Sequence, residues 1–243
     1  MVQVTQRTID DIVKEVVPEV EARTGYALGQ PGPGNYTVRL IGRADYFSEV
    51  YVKNYDAHRH KPYKALGFGG KMRYRFAAFL MSYVINGQYL PSSKEIFLIR
   101  ENNSATRKED LKGLVAHELI HHGQFAHHSW MQEYMEQVSK WTEGFSANAS
   151  GRVRKYKQDL NSFMMLIEGE ATYFEEYFSK RRSSVDTGQV LATIATLVAS
   201  PTGFMEKVKQ YVEGRDIIAN AVASSGTQGI EALYASFYKK VSF

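Results

Sequence analysis

Leu114-Val115-Ala116-His117-Glu118-Leu119-Ile120-His121-His122-Gly123 sets two histidines one helical turn apart inside an apolar run. On a helix, residues at that spacing project from one side, so His117 and His121 can grip a single ion between them. Glu118 directly follows the first histidine. It is better placed to reach a water beside such an ion than to complete the ion's coordination, which is the position of a general base. Buried without partners, two imidazoles and a carboxylate would weigh heavily against folding. A bound metal offsets that cost.

Working outward, Thr106-Arg107-Lys108-Glu109 has the S/T-x-x-E pattern of a capping box, and Leu111, Leu114, Val115 and Leu119 recur at helical spacing, so the motif is expected mid-helix. Just before it, Glu95-Ile96-Phe97-Leu98-Ile99-Arg100 reads as a short apolar strand. An exposed edge of that strand would hold an extended peptide by main-chain hydrogen bonds; a plain core strand is the competing reading.

Further upstream, residues 5–24 carry an apolar stripe of Ile9, Ile12, Val13, Val16, Val17 and Val20, interrupted at Pro18, where a kink or break is expected. Glycines and prolines mark a loop at 29–35, and residues 36–42 alternate as a strand. Between 43 and 70 the pattern is weak. Leu66-Gly67-Phe68-Gly69-Gly70 lacks the Lys-Ser/Thr of a phosphate loop and reads as a turn or lid. Residues 71–86 then predict a helix, with Met72, Phe76, Phe79, Leu80, Tyr83 and Val84 packing on the sheet.

Beyond His128 the pattern is helical: 129–141, 153–182, 190–199, 204–212, 216–223 and 230–241, with a loop at 144–151. The expected class is therefore α+β, with a small mixed sheet and the active-site helix in the N-terminal half and a mostly helical C-terminal half. Two subdomains are expected, 1–128 with the H-E-x-x-H helix and 129–243 carrying the third metal ligand.

Hydrophobic residues are 44% and charged residues 23% of the 243-residue chain, an ordinary globular balance that argues against disordered and fibrous classes. The formal charge of +4 comes without a long basic block, which gives no clear support for nucleic acid as partner. Arg152, Arg154, Lys155 and Lys157 form only a short run, read as a solvated helix face. There is no cysteine, so thiolate zinc sites, disulfides and cysteine nucleophiles are excluded. The first residues lack the basic-then-apolar order of a signal peptide, and no window approaches a membrane span, so a cytoplasmic location without a membrane partner is expected. Oligomeric state is not legible.

Zinc held by two histidines of such a helix takes a third protein ligand and keeps one position open. Glu168 lies in Leu166-Ile167-Glu168-Gly169-Glu170-Ala171-Thr172-Tyr173. With that segment the chain resembles a gluzincin-type zinc metallopeptidase, in which the first Glu of an E-G-x-A segment on a second helix completes the site. The resemblance spans roughly residues 95–180. It implies a zincin-like fold, Zn2+ as cofactor, His117, His121 and Glu168 as metal ligands, Glu118 as the catalytic base, and a peptide or protein as substrate.

Three other residues compete for the third position. Glu143, in Trp141-Thr142-Glu143-Gly144-Phe145-Ser146, resembles the W-x-x-E-G-F-A segment of the aminopeptidase branch, but Trp141 is one position too close and the following residues read as loop. His127 has the offset of a third metzincin histidine, with Gly123 one position early. Glu170 would point about 200° around the helix from Glu168.

The expected chemistry is hydrolysis of a peptide bond by a metal-activated water, with Glu118 taking the proton and returning it to the leaving amine. Tyr156, Tyr173, Tyr177 and His122 are candidate oxyanion donors, and His122 could instead orient Glu118 across one turn. Thr172 is placed to support Glu168, while Glu175 and Glu176 read as ordinary exposed charges. The alternatives are a catalytically inactive zinc-binding or partner-binding protein of zincin-like fold, and a helical nucleic-acid or partner-binding module that merely contains the pattern.

Overall fold

The computed structural model describes residues 4–58, 62–104, 106–143, 152–179 and 201–241, with helix backbone alone for 139–143, 152–157 and 201–209. Helix α1 (Gln6–Thr24) opens on a capping box between Thr5 and Thr8 and stops at Gly25, whose left-handed φ of 79° suits a residue without Cβ. It runs unbroken through Pro18. Pro18 lies on the exposed face, so the carbonyl it leaves without a partner can turn to water, and the expected break does not occur.

A three-stranded mixed sheet follows, in the order β1-β3-β2. Strand β1 (Thr37–Ile41) runs parallel to β3 (Glu95–Ile99), and β2 (Gly87–Leu90) runs antiparallel to it. The sequence reading that gave β3 a peptide-holding edge is corrected by this order: β3 is the central strand, with ladder partners on both sides. Its run Ile96-Phe97-Leu98-Ile99 is at most 1% exposed because both faces are covered. Ile96 and Leu98 join the main core; Phe97 and Ile99 join a smaller one with Ile41, Tyr46, Val50, Ala78 and Leu90. A continuous apolar run, rather than an alternating one, is what double burial requires.

Between β1 and β2 lie short helical turns, including α2 (Lys53–His58), and then α3 (Phe68–Ser82). Gly69 and Gly70 fall in the first turn of α3, not in a turn or lid. Only Ala78 and Ser82 of this helix are buried. Most of the stripe expected to pack on the sheet is instead exposed, with Phe76 at 59% and Phe79 at 55%.

A short α4 (Arg100–Asn103) leads to α5 (Lys108–His127), which carries the H-E-x-x-H motif. The capping box expected at Thr106 does not form. Arg107 is the N-cap, without a side-chain bond, and instead pairs with Asp110 in the first turn. Helix α5 packs between α1, β2 and the long α7 (Arg152–Ser179). Helix α6 (Trp130–Glu143) follows α5 after a two-residue break.

Residues 204–212 and 216–223, expected as separate helices, are one helix, α8 (Pro201–Ser225), and α9 (Thr227–Val241) ends the described chain. The loop at 144–151 and the helix at 190–199 lie outside the described residues. A single apolar cluster runs from Val4 through Leu119 and Phe163 to Val241, so both halves of the chain contribute to the main core. No helix among the described residues is long and apolar enough to cross a membrane.

Glycine explains how α8 reaches the site. A Cβ on Gly169 of α7 would stand 2.3 Å from the Gly214 carbonyl carbon, and one on Gly214 would stand 2.2 Å from the Met165 oxygen. Backbone therefore meets backbone at this crossing, and Arg215 clamps it through a two-pronged pair with Glu176 at 2.9 and 3.2 Å. Glu176 is thus a packing element, not a free surface charge. Gly169→Ala should destabilise the fold by about 1–3 kcal/mol or more by forcing the helices apart. Gly69→Ala, which meets nothing within 4 Å, should be close to neutral. Thermal unfolding of the two variants checks the contrast.

Candidate metal centre

His117 and His121 lie on one side of α5, and α7 brings Glu168 onto both. The Nε2 atoms of the two histidines are 3.1 Å apart, and Glu168 Oε2 lies 3.4 Å from His117 Nε2 and 3.5 Å from His121 Nε2. Ligands of one tetrahedral zinc at ordinary bond lengths stand about 3.3 Å from each other. The three atoms therefore sit near coordination spacing around a common point. Glu168 Oε2 is buried and has no hydrogen-bond partner, an arrangement that a cation at that point would satisfy.

Each imidazole is set from behind. His117 Nδ1 bonds Glu175 Oε2 at 3.0 Å, and His121 Nδ1 bonds Gln124 Oε1 at 2.9 Å. The Gln124 amide cannot be turned round, because its Nε2 donates to the Ile167 carbonyl and to Glu170 Oε2. Its Oε1 must therefore accept, so His121 carries its proton on Nδ1 and turns the Nε2 lone pair towards Glu168. Glu175 imposes the same tautomer on a neutral His117. The expectation that Glu175 is an ordinary exposed charge is corrected: two turns after Glu168, it shares that residue's face of α7.

Glu170 points away, as its place on the helix required. It accepts from Tyr26 at 2.8 Å, Tyr234 at 2.6 Å and Gln124 at 2.9 Å, and so anchors the support behind His121. Burial raises its pKa, opposed by those three donors. His127 is not brought to His117 and His121 either; it faces Glu231 of α9. Glu143 ends α6 in a stretch described by backbone alone.

Glu118 is 5% exposed and lies on the β2 side of α5. Its carboxylate takes the Tyr89 backbone N–H, and a Cβ on Gly87 would come within 2.9 Å of Oε1, so glycine there permits the close approach. Burial pushes its pKa up, against the pull of His117 and His121 and with the repulsion of Glu168. A raised carboxylate pKa brings its proton affinity closer to that needed for proton transfer near neutrality.

His122 neither orients Glu118 nor faces the triad. It bonds the Tyr89 hydroxyl at 3.2 Å and packs on Tyr36, with burial driving its pKa down to about 4, so it is a neutral core residue. Thr172 is buried with its hydroxyl unpartnered, and gives Glu168 no support. The Tyr173 and Tyr177 hydroxyls bond each other at 3.1 Å. The Tyr156 side chain lies outside the described residues.

The aromatic group that does reach the triad is Tyr211 of α8, absent from the sequence reading. Its ring stacks on His117 at 6.4 Å, and it lies close enough to Glu168 to feel that carboxylate. Burial, then the charges of Glu168, Glu118 and Glu175, hold its pKa well above the usual phenol value. Its proton is therefore firmly kept. The only sequence signal was the apolar periodicity of a distant helix, which does not name a partner.

The charges of the triad set a pH window for protein stripped of metal. Burial opposes a charge on His117, but Glu168 and Glu175 outweigh it and raise the pKa well above 6.5. Burial likewise opposes the Glu168 charge, but His117 and His121 outweigh it and lower the pKa well below 4.5. A raised histidine pKa stabilises fully below 6.5 and is lost as pH rises through the folded value; a lowered carboxylate pKa stabilises fully above 4.5 and is lost as pH falls through its folded value. Both contributions are complete between 4.5 and 6.5. The difference in melting temperature between chelator-treated wild type and Glu168→Gln should be largest in that window.

Comparison of the chain with protein-family models, with curated proteins and with solved structures finds no match.

Proposed function

We propose that the protein is a zinc-dependent peptidase of zincin-like fold, with His117, His121 and Glu168 holding the metal. The observation that carries the reading is the convergence of three ligand atoms on one point, with an otherwise orphaned Glu168 oxygen. Two imidazoles and a carboxylate form the donor set of catalytic zinc sites that keep a position open. Zinc held there supplies a Lewis acid that acidifies water and polarises a carbonyl.

The chain's own groups supply the rest. Glu118 accepts a proton from the attacking water and returns it to the departing amine, its raised pKa suiting both transfers. Tyr211, whose hydroxyl keeps its proton, donates a hydrogen bond to the oxyanion as the scissile carbonyl becomes tetrahedral. Strand β2 has a ladder partner on one side only among the described residues and runs beside Glu118. Its open edge would take an extended peptide by main-chain hydrogen bonds, the role that the sequence reading gave to β3.

The test is incubation of zinc-loaded protein with a mixture of unstructured peptides, with cleavage read by mass spectrometry. Wild type should cut and a chelator should stop it; a zinc-loaded wild type that cuts nothing would favour the inactive zinc-binding alternative. Tyr211→Phe should lower kcat about 10²-fold with little change in KM, as expected for one oxyanion donor. Equal loss in KM and kcat would instead place Tyr211 in substrate binding.

A further inference from the structure

A second set of metal-ligating side chains lies where α5 ends against α9. His127 closes α5, His128 is its C-cap residue, and Glu231 stands near the start of α9. His127 Nε2 is 3.5 Å and His128 Nε2 3.8 Å from the same oxygen, Glu231 Oε1. All three ligand atoms fall within 4.8 Å of one another. Against the roughly 3.3 Å separation of ligands on a tetrahedral ion, the two histidine–carboxylate distances are long by about half an ångström or less. The side chains that must move, His127 and Glu231, are 48% and 47% exposed and free to do so.

His128 points to a ligand independently of that spacing. It is 9% exposed and its buried Nε2 has no hydrogen-bond partner, a state that native proteins rarely leave uncompensated. The ring is held in place by packing on Tyr234 at 4.7 Å and edge-on to His127 at 4.8 Å. A fixed, buried nitrogen aimed at a carboxylate, with a second imidazole alongside, supplies three of the four positions of a tetrahedral ion.

We propose that His127, His128 and Glu231 form a second site, for a divalent cation of the zinc class, that fastens α9 to the C-terminal end of α5. Imidazole nitrogens favour zinc-class ions over calcium or magnesium, which take oxygen cages. The exposed side of the site leaves room for water to complete the coordination. The site does not depend on peptidase activity or on the first metal centre, yet it bears on that centre's support. Tyr234, one turn after Glu231 on α9, bonds both Glu170 and Gln124, and Gln124 sets the His121 tautomer. An ion that pins α9 therefore keeps this positioning network assembled.

The test is titration of chelator-stripped protein with Zn2+, reading bound equivalents by calorimetry and by metal analysis after gel filtration. Wild type, Glu231→Gln, His127→Gln and Glu168→Gln are compared. Glu231 and His127 are half-exposed, so their variants should fold normally; circular dichroism checks this. Each should bind one equivalent fewer than wild type, or bind it at least about a hundredfold more weakly, at or beyond the most that a supporting partner alone would give. Glu168→Gln should affect a different equivalent. If Glu231→Gln or His127→Gln binds as much zinc as wild type with the same affinity, the second site is overturned, whatever happens at the triad. If wild type binds one equivalent and Glu231→Gln loses it, the second site stands and the triad reading fails.

Discussion

Glu168→Gln is expected to weaken zinc binding at the triad by at least about a hundredfold, while Glu143→Gln leaves it unchanged. Supporting partners alone change metal affinity 10–100-fold, so loss of a direct ligand should lie at or beyond the upper end. A hundredfold is about 2.7 kcal/mol. The amide keeps the shape of the side chain but removes its charge and can present an N–H to two imidazole nitrogens. Glu168 Oε2 stands 3.4 and 3.5 Å from those nitrogens and has no other partner, so the lost charge has no local substitute. Equilibrium dialysis against a competing chelator, with circular dichroism to show that both variants are folded, checks the contrast. Loss of triad zinc in Glu143→Gln but not in Glu168→Gln would move the third ligand to α6.

The triad was readable because its geometry is local twice over. His117 and His121 are fixed by one turn of α5, and Glu168 by the Gly169 that follows it, a residue whose purpose becomes visible only where Gly214 crosses it. Glu175, two turns from Glu168 on the same face, was not read, because a glutamate on a helix gives no sign of what faces it. Tyr211 was not readable. Its place depends on the glycine-to-glycine crossing of α7 and α8, a contact between distant segments that apolar periodicity does not encode.

The exchange of roles between β2 and β3 has a similar origin. Strand order is a property of the assembled sheet, although the unbroken apolar run at 96–99 already favoured a central strand over an edge. Pro18 and Thr106 show local rules yielding to context. One sits where its orphaned carbonyl can reach water, and the other lies just outside a helix that begins at Lys108. On α3 the same apolar spacing that marks a buried face elsewhere marks an exposed one, because the small core beneath it is filled by Tyr46, Val50 and Phe97.

Glu118→Gln is expected to keep zinc at the triad and to lose peptide hydrolysis by about 10²–10⁴-fold, the usual contribution of a positioned general base. That loss corresponds to about 2.7–5.5 kcal/mol of barrier. The separation of binding from turnover follows from position: Glu118 is on the same helix as His117 and His121 but on the side that meets β2, where the Tyr89 N–H and the missing Cβ of Gly87 fix it. Glutamine can still accept the Tyr89 N–H, so the strand should stay in place, but it cannot take a proton from water. Glu118→Asp separates charge from reach, since it keeps the carboxylate and withdraws it by one methylene. It should therefore fall between wild type and Glu118→Gln in kcat, with all three binding zinc alike. Wild-type turnover in a zinc-loaded Glu118→Gln would assign the proton transfer to another group. Zinc loss in that variant would mean instead that Glu118 helps to hold the metal.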